Sequence, residues 1–145
     1  MNIPRETIYA ALFALLAATS GIKTSSRRLK MWTEVAPPDQ PALFMVQRHE
    51  ASKVTTRMPT IHELYVDIIL YGNNGGQDQS STAPMSILNP IIDAIEAKLL
   101  PGAGAMDQTL GGLVERCRID GDIQTDEGAL RDQAVVIIPV TILVP

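Results

Sequence analysis

TIHELYVDIILYG, Thr60–Gly72, is the stretch that decides the fold class. Its alternate residues separate cleanly. His62, Leu64, Val66, Ile68 and Leu70 fall in one set, and Glu63, Tyr65, Asp67, Ile69 and Tyr71 in the other. Side chains of a strand point alternately to opposite faces, so this period of two predicts a strand with one greasy face and one mixed face. A half-buried strand of that kind belongs to an antiparallel sheet, because parallel strands are usually apolar on both faces. Tyr65 and Tyr71, on the mixed face, are either cross-strand partners or interface residues.

Working outward, ALFMVQRHEA (Ala42–Ala51) predicts the strand before it, and Pro37, Pro38 and Pro41 enforce a turn ahead of that. The segment around Arg27–Val35 reads as a further strand. QAVVIIPVTILV (Gln133–Val144) is nearly all apolar and predicts the last strand. Pro139 lacks the N–H a ladder needs, so it marks an edge or a bulge. GLVERCRIDGDIQ predicts one strand with Cys117, Ile119 and Ile123 on the same face.

Two segments repeat at helical spacing. Ile8, Leu12, Leu15 and Leu16 predict a helix over about Pro4–Thr19, with Asn2 as a possible cap and Gly21 to end it. Its apolar run, Ile8–Ala18, is too short to span a bilayer, and Glu6 spoils a secretory n-region. MSILNPIIDAIEAKLLPG predicts the second helix, with Ile91, Ile92, Ile95 and Leu99 as the buried stripe. Either Asn89–Pro90 begins it or Ser86 caps an earlier start. Pro101–Gly102 ends it. Asp93 and Glu96 lie early and Lys98 late, as the helix dipole prefers. The order α-β-β-β-α-β-β predicts a two-layer α+β domain over residues 1–145, a mostly antiparallel sheet with both helices on one face.

Net charge is −4 over 145 residues, and the window Asp120–Asp132 holds all of it. Asp120, Asp122, Asp126, Glu127 and Asp132 stand there against Arg131 alone. The remainder is balanced, which argues against tight phosphate tracking along nucleic acid. A calcium loop from Asp120 would need Gly at its sixth position and an acid at its twelfth; Thr125 and Arg131 stand there. Asp120 and Asp122 share a strand face and could hold one divalent ion loosely, but a solvated strand end is the stronger reading. TDEGALRD joins two strands, and Gly128 can supply the positive φ of a hairpin turn. Lys23, Arg27, Arg28 and Lys30 form an acid-free run elsewhere. That run is either a solvated edge strand or a docking patch for an acidic partner. An acidic pole and a basic pole suit head-to-tail contact, which closes into a ring when the rotation permits.

The inventory for catalysis is thin. Gly72–Ala83 is a Gly-rich loop without the Gly-Lys-Ser/Thr ending of a phosphate loop. His49 and His62 lie on different strands, and no nucleophile signature is present. Cys117, the single cysteine, excludes an intrachain disulfide. Arg116 and Arg118 beside it would lower its pKa, whereas an inward-facing strand position would make it a small apolar residue. No enzyme activity, metal or cofactor is expected.

ETIYAALFALL, SRRLKMWTEVAPPDQPALFMVQR, SILNPIIDAIEAKL, TLGGLVERCRIDGDIQTDEG and AVVIIPVTILV, in this order and spacing, resemble a family of small proteins from long-tailed bacteriophages. The family is the tail terminator, or tail completion, group of minor tail protein U-like proteins. The resemblance runs over nearly the whole chain and is loosest at Gly72–Ala83. It implies an α+β subunit that forms a hexameric ring at the head-proximal end of the virion tail, assembled in the host cytoplasm. Such a ring caps the tail tube, stops its growth and offers a surface to the head–tail connector. Double-stranded DNA passes through its lumen without specific binding, and no membrane is involved. An acidic lumen loop would let DNA slide, since like charge suppresses phosphate contacts. The family has no motif for its interface residues, so the acidic window and the basic run are candidates on physical grounds. Another neck or connector component, or a small metal-dependent binder or enzyme, are the competing readings.

Overall fold

A computed structural model of the chain describes residues 3–73, 83–99, 107–127 and 132–144. Its spine is the antiparallel pair β3 (Ile61–Asn73) and β6 (Gln133–Val144), in register from His62↔Val144 to Asn73↔Gln133. The alternation in Thr60–Gly72 has its predicted consequence. Leu64, Val66, Ile68 and Leu70 are buried, and they lie opposite Ile142, Val140, Ile138 and Val136, which are buried too.

β2 (Ala42–Lys53) pairs antiparallel with β3, and the short β1 (Thr24–Ser26) pairs parallel with β2. On the other side of β6 lie β4 (Arg116–Ile119) and β5 (Gln124–Glu127), both antiparallel to it. The sheet therefore runs β1-β2-β3-β6-β4, with β5 also on β6. α1 (Arg5–Ala17) and α2 (Met85–Leu99) cover one face. Ile8, Tyr9, Leu12 and Leu16 of α1 share a single apolar core with Leu88, Ile91, Ile95 and Leu99 of α2 and the greasy sheet face. This is the two-layer α+β architecture that the order of elements predicts. Each fully buried aliphatic side chain in it contributes about 1.5–3 kcal/mol. No helix among the described residues is long and apolar enough to cross a membrane.

The structure corrects four local expectations. Arg27–Val35 is not a strand: the strand is Thr24–Ser26, and Trp32–Glu34 and Pro37–Asp39 form short 3-10 turns. The Ser26 hydroxyl accepts a hydrogen bond from the Arg28 N–H at 2.9 Å, a local turn that competes with a ladder. Beyond it Val35 is buried and Trp32 half-buried in a small core on the sheet, while Leu29 and Met31 stay exposed. In α2 the buried stripe includes Leu88, while Ile92 is only half-buried. α2 starts at Met85, so Pro90 lies inside it and Ser86 is not its cap; the Ser86 hydroxyl donates to the Ala83 carbonyl. GLVERCRIDGDIQ makes two strands rather than one, and Ile123 is exposed instead of sharing the inner face with Cys117. Asn2, Pro101–Gly102, Gly128 and most of the Gly72–Ala83 loop lie outside the described residues.

The split between β4 and β5 has an identifiable cause. Ile119 pairs with Val140 and Gln124 with Ile137, so Asp120–Ile123 stand opposite only Ile138 and Pro139. The Pro139 carbonyl accepts from the Asp120 N–H at 3.1 Å, so Pro139 turns its donor-less nitrogen to the same side, into the bulge. Gly121 closes the bulge with φ +121°, and a Cβ there would stand 3.2 Å from Pro139 Cγ. Gly121→Val should therefore lose about 1–3 kcal/mol. A urea melt indistinguishable from the unsubstituted chain would show that the bulge does not need that backbone.

Candidate interaction surface

The sheet face away from the helices is covered only in part. Val35, Ala42, Phe44 and Tyr71 form a small second core there, with Trp32, Ile69 and Val135 packed on it. The Tyr71 hydroxyl donates to the Lys30 carbonyl at 2.7 Å, and buried Gln40 donates to the Val35 carbonyl at 3.0 Å. Tyr71 is thus an internal partner. Burial, and then the charge of Glu34, push its phenol up.

The rest of this face is open and bears charges in pairs. A register shift between Gln47 and Glu50 places Arg48 and His49 together opposite Tyr65. Such a bulge re-aims side chains. Here the His49 ring stacks on Tyr65 with centroids 4.3 Å apart, and Arg48 reaches Asp67 at 3.5 Å. The Tyr65 hydroxyl donates to Glu63, which also pairs with Lys53 at 2.7 Å. The two bulges flank one shallow groove of about 380 Å³, lined by Arg48, His49, Tyr65, Asp120, Asp122 and Thr141.

The Lys53 ammonium, and then the Tyr65 hydroxyl, hold the Glu63 carboxyl below its ordinary 4.5. The group is ionised at neutral pH, and its contribution is present above pH 4.5 and lost as pH falls through the lower folded value. Glu63→Gln should destabilise at pH 7 and converge with the unsubstituted chain in acid. A gap between their melting curves that stayed constant down to pH 2 would contradict this assignment.

The structure divides the acidic window. Asp120 and Asp122 sit exposed in the bulge, and Asp126 is exposed on β5. Asp126 pairs with Val135 on the open face, whereas Glu127 pairs with Ala134 on the helix face. From there Glu127 accepts the Met85 N–H at 2.8 Å and caps α2, where a carboxylate also meets the positive end of the dipole. Asp132 is half-buried at the start of the segment that leads into β6. No group of three or more His, Cys, Asp or Glu side chains is placed to hold a metal ion among the described residues.

The basic run divides too. Arg27 donates to Glu6 at 2.6 Å and to Gln47 at 3.1 Å, and lies 6.0 Å from the centre of the Tyr9 ring. It fastens the end of β1 to α1. Lys23, Arg28 and Lys30 are exposed, with no ion pair among the described residues. Lys23 and Arg28 flank β1 at one lateral edge of the sheet, while Lys30 lies over the open face, where its carbonyl meets Tyr71; Asp126 lies on β5 at the other edge and Asp122 just before it in the bulge. The row Thr24–Ala42–Tyr71–Val135–Asp126 joins the two edges at one level, a width of ~19 Å at the usual strand spacing.

No family model matches the chain, and no curated protein matches it. What the surface can do follows from its geometry alone. It offers exposed cations beside β1, exposed carboxylates on and just before β5, with Arg116 and Arg118 of β4 farther along that same edge, and a polar groove between the two edges.

Cys117 is no nucleophile. It points into the core, and burial pushes its thiol up to about 12. The neighbouring arginines alternate to the open face, so desolvation outweighs them. Sequence reasoning missed two helix-end contacts besides the Glu127 cap. Lys98 donates to the Leu15 carbonyl at 2.8 Å and to the Thr19 hydroxyl at 3.0 Å, and so caps the other helix, not its own. The Gln108 side chain donates to the Lys98 carbonyl at 2.9 Å. These pairs are long-range, and no local signal marks them.

Proposed function

We propose that this chain is the subunit of a homo-oligomeric ring, hexameric in the family it resembles, that caps the tail tube of a long-tailed bacteriophage. In this reading the ring sits at the head-proximal end of the tail, after assembly in the host cytoplasm. It ends tube growth and presents its other face to the head–tail connector. The action is steric and needs no bond chemistry. One ring face continues the last tube layer, the opposite face accepts no further layer, and DNA passes through the lumen.

One observation carries the proposal: the edge strands β1 and β5 lie on opposite sides of the sheet at the same level, with Lys23 and Arg28 flanking β1 and Asp126 on β5. A heterologous contact uses two different patches on each subunit, and two patches on opposite sides allow a closed ring. Complementary charge guides the register of such a contact and speeds it.

Light scattering over a concentration series, with negative-stain images of each fraction, tests the ring; an assembly of about six subunits is expected. The reversal Asp122→Lys with Asp126→Lys should shift that assembly toward monomer while leaving the fold intact. Glu127 is left in place because it caps α2. Isolated tail tubes should then bind the ring at one end. A chain that stays monomeric, alone and on tubes, would sink the proposal. Binding to the head portal but not to tubes would move it to another neck component.

A further inference from the structure

We infer that β5 of one copy adds antiparallel to β1 of the next, so that the sheet runs on from subunit to subunit. The inference rests on the ring reading and names its contact.

Both strands are edges. β1 pairs only with β2, and β5 only with β6, among the described residues. An edge strand presents unpaired backbone groups that another chain can use. Their directions are compatible: β1 runs with β2, and β5 runs with β3, which is antiparallel to β2.

The register follows from the rows of the sheet. Thr24 shares a row with Asp126, Ser25 with Thr125 through Leu43, Leu70 and Val136, and Ser26 with Gln124 through Phe44, Ile69 and Ile137. A sideways step of one subunit, without sliding along the strands, sets Thr24 against Asp126, Ser25 against Thr125 and Ser26 against Gln124. Every pair is polar and able to hydrogen-bond, and both members of each lie on the same face. A slip of one residue would put each side chain on the wrong face. Carried one step outward, the same register sets Lys23 against Glu127. At the other end, beyond both strands, Arg28 follows the Ser26 turn and Asp122 stands in the bulge, so opposite charges lie on the same side of the joint outside the strand register. Opposite charges thus flank the joint at both ends, and Arg28 and Asp122 are exposed.

Cysteine pairing tests the contact, with Cys117 retained because it is buried. Ser25→Cys with Thr125→Cys places two thiols on one face within disulfide reach of each other across the joint. Mild oxidation should give a covalent ladder from dimer up to the full ring on a non-reducing gel. Ser25→Cys with Asp126→Cys puts the thiols on opposite faces and should give none. As a second arm, Arg28→Asp and Asp122→Arg should each weaken association at least tenfold, and the two together should restore it. Rings by light scattering with no ladder, or with equal ladders from both cysteine pairs, would overturn the strand addition and leave the ring standing. A monomer with no ladder at any concentration, alone and on tail tubes, would overturn both.

Discussion

Gly72→Ala should destabilise the fold by about 2–3 kcal/mol, although alanine is ordinarily no worse than glycine in a strand. The added methyl would stand 2.6 Å from Leu88 Cγ and 2.8 Å from its Cδ2. Cγ is the root of the side chain rather than a free end, and Leu88 is fully buried on α2. Relief would require α2 to lift from β3 and open the core that Leu88 shares with Ile68 and Leu70. Gly72 does not occupy the left-handed region, so its role is space and not backbone freedom. The double variant identifies the cause. Leu88→Ala alone should cost about 2–5 kcal/mol. Adding Gly72→Ala to it should cost little more, because the methyl would then fill part of the cavity. Chemical melts of the four chains measure this coupling; strictly additive losses would refute the packing account.

Lys98→Met should lose about 2 kcal/mol while keeping the length of the side chain. The ammonium donates to the Leu15 carbonyl and the Thr19 hydroxyl at the end of α1, and Thr19 is buried. Removing a charged donor from the last turn of a helix costs both the hydrogen bonds and the favourable charge at the dipole's negative end. Thr19→Val in the same background should add less than it does alone, since the two share one contact. Amide exchange should quicken first in the last turn of α1. A melt unchanged by Lys98→Met would show that water replaces the ammonium at no cost.

The two predictions mark where local pattern stops being informative. In the sequence Gly72 reads as the first residue of a Gly-rich loop, and nothing near it announces a leucine from a helix thirteen residues on. Lys98 reads as a cation for its own helix end, because local reasoning sees only its own helix. Arg27–Val35 reads as a strand when only its own residues are considered. The chain turns instead at Ser26, and Trp32 and Val35 find Phe44 and Tyr71, which lie on two other strands.

The candidate surface was partly legible. The charge imbalance of Asp120–Asp132 and the basic run at Lys23–Lys30 stand out as composition. Their division does not, because it depends on strand parity and on the bulge. Parity sends Asp126 to the open face and Glu127 to the helix face, where it becomes a cap. Arg27 is likewise consumed by Glu6, a residue of a helix packed beside it.

The sequence alone determined the fold class, the core face of β3 and the need for an edge or a bulge at Pro139, since periodicity and a missing N–H are local properties. Only the tertiary structure decided which charges remain at the edges and that those edges lie at one level. Long-range pairing sets strand order and register, and no window of sequence contains both partners.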